Sequence, residues 1–153
     1  MKNRFILCDC APGDWGKSMT LKKLIDLFET NNDFERKAKK KGKNDKSDFW
    51  CVFQSIKSNQ IIIIQTEGDY DTSFGQTMEF LKENSFDLLV CASKCENSNA
   101  YSIVDRISSV FDLEIIRFRN YHCANDDKLR QELLNEQMAQ SLYNLIMQLL
   151  ENS

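Results

Sequence analysis

The chain alternates short apolar runs with longer amphipathic segments, a pattern typical of an α/β protein. Runs rich in apolar and β-branched residues predict strands at 5–8, 48–56, 61–64, 86–92 and 113–118. Apolar residues three and four positions apart predict helices at 18–28, 72–83, 99–111 and 126–150. The short connection 57–60 predicts an antiparallel hairpin, and four consecutive isoleucines after it predict a strand buried on both faces. We therefore expect an α/β domain over residues 1–153, with a mostly parallel five-stranded sheet and one antiparallel edge strand.

Residues 11–18, Ala-Pro-Gly-Asp-Trp-Gly-Lys-Ser, lie between the first predicted strand and the first predicted helix. They match the phosphate-binding P-loop pattern, G-x-x-x-x-G-K-[ST], with Ala11 in the place of the first glycine. Such a loop turns backbone N–H groups toward an anion, and the helix that follows adds a partial positive charge. The alternative is a chance Gly-Lys-Ser at a helix start. The residues predicted to bind a nucleotide are Gly13, Asp14, Trp15, Gly16, Lys17, Ser18 and Met19.

Three of these residues have distinct expected roles. Lys17 reaches the β- and γ-phosphates and acts in catalysis, and the Ser18 hydroxyl ligates Mg²⁺. Gly16 supplies a backbone conformation that other residues avoid. The ring of Trp15 is too bulky for the loop interior, so we expect it to point outward.

The third predicted strand ends in Gln-Thr-Glu-Gly-Asp, residues 65–69. In P-loop proteins an apolar strand followed by Asp-x-x-Gly forms the second half of the active site, but here the aspartate position holds Gln65. A neutral amide lacks the charge that Mg²⁺ prefers. We predict that Glu67 ligates the metal, that Glu67 and Asp69 are catalytic, and that the Gly68 N–H contacts the nucleotide. The alternative is a polar turn without chemistry.

Polar residues also follow the fifth predicted strand, where ligands bind in open α/β sheets. Asn120 is predicted to hydrogen-bond a purine base. The guanine-reading Asn-Lys-x-Asp pattern is absent, which favours ATP over GTP. His122 is interpreted as a surface loop residue rather than as a catalyst.

Residues 37–46 contain six lysines. A block of like charge is typical of a solvated, mobile loop, and this is the favoured interpretation. The alternative is a contact with the phosphates of a nucleotide, with DNA bound without sequence preference, or with a protein partner. The net charge of −3 over 153 residues does not by itself indicate a nucleic-acid-binding protein.

The cysteine content and the lengths of the apolar runs indicate the cellular compartment. Six cysteines, most of them in or beside predicted strands, are typical of reduced core thiols and favour a cytoplasmic protein. Their spacing does not match zinc-binding pairs. No signal peptide or membrane span is predicted, because no apolar run approaches the roughly 20 residues that a span needs.

With these residues placed, the chain resembles the P-loop NTPases, and among them the ParA- and MinD-type partition ATPases. The resemblance is carried by 11–18, 61–68, 86–92, 119–122 and the helix at 133–150. It implies a three-layer α/β/α P-loop fold, ATP and Mg²⁺ as cofactors, and an ATP-dependent switch that forms a homodimer or acts on DNA or a protein. Pro12 stands where that family has its signature lysine. The alternatives are a small P-loop kinase and a nucleotide-binding module with weak or no hydrolysis.

Overall fold

A computed structural model describes residues 4–12, 15–41, 49–66, 78–94, 98–123 and 127–153. Residues 78–83 are helical and are labelled α2. The other elements are, in chain order, β1 (Phe5–Cys10), α1 (Lys17–Glu29), β2 (Phe34–Lys41), β3 (Phe49–Ser55), β4 (Ile61–Gln65), β5 (Leu88–Ser93), α3 (Asn99–Phe111), β6 (Glu114–Phe118) and α4 (Lys128–Glu151). The α/β class predicted from the sequence is confirmed.

The sheet has six strands in the order β2-β3-β4-β5-β1-β6. The pairs β4–β5, β5–β1 and β1–β6 are parallel, whereas β3 is antiparallel to both of its neighbours. The predicted hairpin between β3 and β4 is confirmed. The prediction of five strands with the antiparallel one at the edge is wrong, because β2 adds a sixth strand outside β3.

The lysine-rich segment is where the sequence interpretation failed. Residues 37–41 belong to β2 rather than to a mobile loop, and residues 42–48 lie outside the described part of the chain. Phe34 is buried at the start of the strand, and the ladder to β3 runs from Phe34 to Lys41 with one irregularity between Arg36 and Ala38. A lysine-rich strand is tolerated here because β2 is an edge strand, where charged side chains discourage pairing with other chains.

Helices cover both faces of the sheet. One core cluster packs α1 and α4 against one face, and the other packs α2 and α3 against the opposite face. The isoleucines of β4 divide between them, since Ile62 and Ile64 belong to the first cluster and Ile63 to the second. All three are fully buried, which confirms the predicted burial on both faces. Each such side chain contributes about 1.5–3 kcal/mol on burial.

Helix α4 folds back on α1 and reaches the carboxyl end of β1. Met138, Ala139, Leu142 and Ile146 of α4 join the cluster that holds the buried face of α1. The Asp127 side chain caps α4 by accepting a hydrogen bond from the Arg130 N–H at 3.0 Å. Asn135, two turns into α4, lies beside Gly16 at the start of α1. No helix in the described residues is long and apolar enough to cross a membrane.

Candidate functional site

The candidate site lies where β1 ends at Cys10 and α1 begins at Lys17. The strand and the helix that the motif requires are thus both present. Gly16 is the N-cap of α1 and has φ 79° and ψ 16°, a left-handed conformation. Its carbonyl accepts the first helical bond, from the Thr20 N–H at 2.9 Å. Glycine adopts this conformation at no steric cost, which confirms the role expected of Gly16.

Gly16 also packs directly on a side chain of α4. A Cβ atom at this position would lie 2.5 Å from Oδ1 and 2.8 Å from Nδ2 of Asn135. Asn135 is only 5% exposed, on the face of α4 that it shares with the buried Met138 and Leu142. The end of the loop is therefore in contact with a buried amide of the C-terminal helix.

Asn120 links the loop, β1 and both helices. Its backbone N–H donates to Asp9 Oδ1 at 2.9 Å, and its Nδ2 donates to Asn135 Oδ1 at 3.1 Å and to the Trp15 carbonyl. The Thr20 hydroxyl donates to Asn120 Oδ1 at 2.7 Å. Asn120 is 2% exposed, so its amide is committed to protein partners. If Asn120 bound a purine base, that contact would have to replace these bonds. The predicted contact between Asn120 and the base stays a prediction.

Asp9 is a fully buried carboxyl group at the end of β1. Its Oδ1 accepts the Asn120 N–H, but its Oδ2 has no hydrogen-bond donor among the residues that the structure describes. Burial raises the pKa of Asp9 to about 7, while the Asn120 N–H and the positive charge of Lys17 act in the lowering direction. A carboxyl group that titrates near neutral pH therefore lies beneath the loop.

The Lys17 ammonium folds back over the loop. Its Nζ donates to the carbonyl oxygens of Ala11 at 2.5 Å and Pro12 at 2.8 Å. Ser18 is half-buried in the first turn of α1, and Met19 beside it is half-exposed. The loop thus combines a helix N-terminus, an ammonium group and a hydroxyl group, which together are suited to an anion.

Trp15 lies outside the loop interior, as expected. Its ring stacks on His122 with centroids 4.4 Å apart and an interplanar angle of 12°. His122 is exposed, and its Nδ1 lies 3.0 Å from Gln131 Oε1 of α4. The stack therefore joins the loop to the segment between β6 and α4.

Several predicted site residues cannot be placed. Gly13, Asp14, Glu67, Gly68 and Asp69 lie outside the described residues. No group of three His, Cys, Asp or Glu side chains suited to a metal ion occurs within the described ranges. The metal and catalytic roles of Glu67 and Asp69 stay predictions.

The strand order bears on the second half of the predicted site. β5 lies between β4 and β1, so at about 4.8 Å per strand the end of β4 is roughly 10 Å from β1. Gln65 at that end is fully buried. The strand directly beside β1 is β5, in which Ser93 pairs with Cys10. The end of β5 is therefore closer to the loop than the end of β4 is.

The sequence reasoning missed Asp9, Thr20 and Asn135. Asp9 is the one charged residue in the otherwise apolar run 5–10, and such a residue is a signal for a buried functional group. Asn135 lies three, four and seven positions before the buried Met138, Ala139 and Leu142, which places a polar residue in an apolar stripe. Thr20 gave no comparable signal, because threonine is common near helix starts.

Searches against family models, curated proteins and solved structures find no match to this chain. Its function therefore has to be inferred from the geometry of the site. That geometry is a strand-to-helix connection that ends in a left-handed glycine, with the Lys17 ammonium bonded to the Ala11 carbonyl and the buried carboxyl group of Asp9 near the end of β1.

Proposed function

We propose that the chain is a P-loop-type protein that binds the phosphates of ATP, with Mg²⁺, at residues 11–18. The observation that carries the proposal is the left-handed Gly16, which ends the loop and begins α1 directly beyond β1. No side chain caps the start of α1, and the partial positive charge at a helix N-terminus attracts an anion. The helices on both faces of the sheet support a three-layer P-loop fold.

Lys17 has the reach and charge for the phosphate-binding role. Its ammonium bonds to the Ala11 and Pro12 carbonyls, and these two bonds hold it at the loop. A bound triphosphate would offer stronger, charged acceptors, so the ammonium would turn toward the β- and γ-phosphates. Ser18, at the next position, would supply the hydroxyl ligand to Mg²⁺.

A nucleotide-binding module with weak or no hydrolysis is the second candidate. It is favoured by Gln65, a neutral and fully buried residue at the end of β4, where hydrolytic P-loop proteins carry an aspartate. The intervening β5 also separates the end of β4 from the loop. Homodimerisation, contact with DNA or a protein partner, and a cytoplasmic location remain predictions of the resemblance.

Mg²⁺-ATP is expected to raise the melting temperature of the protein by about 5–10 °C at a concentration one hundred times its Kd. The basis is that such a concentration stabilises the folded state by about 2.7 kcal/mol, and each kcal/mol shifts the Tm of a domain this size by about 2–4 °C. The Lys17→Ala variant should lose the effect. Differential scanning fluorimetry measures the melting temperature of both proteins, and a comparison of ATP with GTP tests the predicted preference for adenine.

Lys57→Ala is the matched control. Lys57 is an exposed lysine in the β3–β4 connection, at the opposite end of the sheet, and its only described ion pair is with Asp33. This variant should respond to ATP as the wild type does. If Lys17→Ala also keeps the full shift, ATP does not bind at this loop. Phosphate release without an added acceptor then separates the ATPase from the binding module.

A further inference from the structure

A second concave site lies on the α3 side of the sheet, at the carboxyl ends of β1 and β6. It is a cavity of about 190 Å³ lined by Cys10, Tyr101, Arg117, Phe118 and Arg119. None of these residues belongs to the loop at 11–18. The cavity therefore requires an explanation of its own.

Arg117 contributes a guanidinium that is only partly satisfied. The group lies 4.0 Å from the centroid of the Tyr101 ring, and one terminal nitrogen donates to Asp105 Oδ1 at 2.7 Å. Its Nε is buried and has no acceptor among the described residues. A guanidinium carries five N–H donors and never loses its charge in a protein. Arg117 thus retains donor capacity beyond its bond to Asp105.

The surroundings of Arg117 add further positive charge. Arg119 is exposed and forms no ion pair within the described part of the chain. Tyr101 lies in the first turn of the 13-residue helix α3, so the cavity is next to the positive end of that helix. Among the described residues no carboxylate lines the cavity, and Asp105 offsets only one of the two arginine charges.

We propose that this cavity binds the oxyanion group, phosphate or carboxylate, of a small molecule. Arg117 and Arg119 would donate charge-assisted hydrogen bonds, for which the planar guanidinium is suited. The volume is about six times the 30 Å³ that a water molecule occupies in the liquid, which is enough for a small anion. The proposal goes beyond the binding of ATP at the loop and uses different residues.

The test is an NMR titration of the 153-residue chain that follows the arginine Nε–H signals in ¹H–¹⁵N spectra. Inorganic phosphate and acetate are the two probes, with chloride at equal ionic strength as the reference. The titration is carried out in the wild type and in Lys17→Ala, so that phosphate bound at the loop does not contribute. We expect saturable shifts of the Arg117 and Arg119 signals in both proteins, and a response to one probe alone identifies which oxyanion the cavity prefers.

Arg119→Gln should weaken the binding at least tenfold, because it removes one of the two charged donors. Arg36→Gln is the matched control, since Arg36 is an exposed arginine on β2 at the far edge of the sheet. Unchanged Arg117 and Arg119 signals with both anions would overturn the proposal, as would equal weakening by the two variants. Failure of ATP to bind at the loop leaves these outcomes unaffected, because the signals are read in Lys17→Ala.

Discussion

Replacing Gly16 with alanine is expected to destabilise the protein by about 3 kcal/mol and to abolish ATP binding. Two costs add here. The left-handed backbone, with φ 79°, costs a residue with a Cβ about 1–2 kcal/mol. The new methyl group would also lie 2.5 Å from Asn135 Oδ1, so it must displace a buried amide that accepts hydrogen bonds from Asn120 and Gln131. Urea unfolding measures the loss, and calorimetric titration measures ATP binding.

A double-mutant cycle separates the two costs. In an Asn135→Ala background the obstructing amide is gone, so Gly16→Ala should then cost only the backbone term of about 1–2 kcal/mol. Asn59→Ala is the control for that term, because Asn59 is an exposed residue with φ 58°. If Gly16→Ala costs less than about 0.5 kcal/mol in the wild-type background, the packing of the loop on α4 is not as described.

The strands and helices near the core were predictable because their signals are local. The apolar residues of α1 and α3 recur with the helical period, and the isoleucines of β4 can be accommodated only in a strand covered on both faces. The predicted helix at 99–111 coincides with α3, and the predicted helix at 18–28 differs from α1 by one residue at each end. These helices and strands are determined by hydrophobic burial, and the regular spacing of the buried residues is visible in the sequence.

The edge of the sheet was not predictable in the same way. Residues 37–41 carry a charge pattern typical of a loop, and only their pairing with β3 makes them a strand. An edge strand exposes its side chains, so its composition is selected for solubility rather than for burial. Strand formation there depends on partners in β3 that are 8 to 14 positions away, and the local composition does not reveal them.

The candidate site likewise has a part that the local sequence predicts and a part that it does not. The loop and its glycine follow from a short motif whose spacing is fixed by phosphate chemistry. The contacts of Asn120 with Asp9, Thr20 and Asn135 join residues that are between 15 and 111 positions apart in sequence. Such contacts are created by the packing of α4 and β6 around β1. They can be anticipated only as polar residues that interrupt an apolar pattern.

Asp9→Asn is expected to stabilise the protein by up to about 4 kcal/mol at pH 8 and to have little effect at pH 4. The folded protein holds the pKa of Asp9 at about 7, above its ordinary value of 3.8, because the carboxyl group is buried. Below pH 4 the group is protonated in both the folded and the unfolded states. Between pH 4 and pH 7 only the folded state retains the proton, so the free energy of unfolding falls as the pH rises. Above pH 7 the loss is complete.

The asparagine isolates this charge because its carbonyl oxygen can still accept the Asn120 N–H, as Asp9 Oδ1 does at 2.9 Å. The free energy of unfolding of both proteins, measured in urea from pH 4 to pH 8, gives the difference curve, and the exposed Asp33→Asn controls for the change in net charge. The charge on Asp9 is also expected to affect ATP binding at the loop. Because a negative Asp9 opposes the approach of phosphate, the affinity of the wild type for ATP should increase from pH 8 to pH 6 more than that of Asp9→Asn. A difference in stability that is the same at every pH would mean that the folded protein accommodates a charged Asp9, with Lys17 and the Asn120 N–H offsetting its burial.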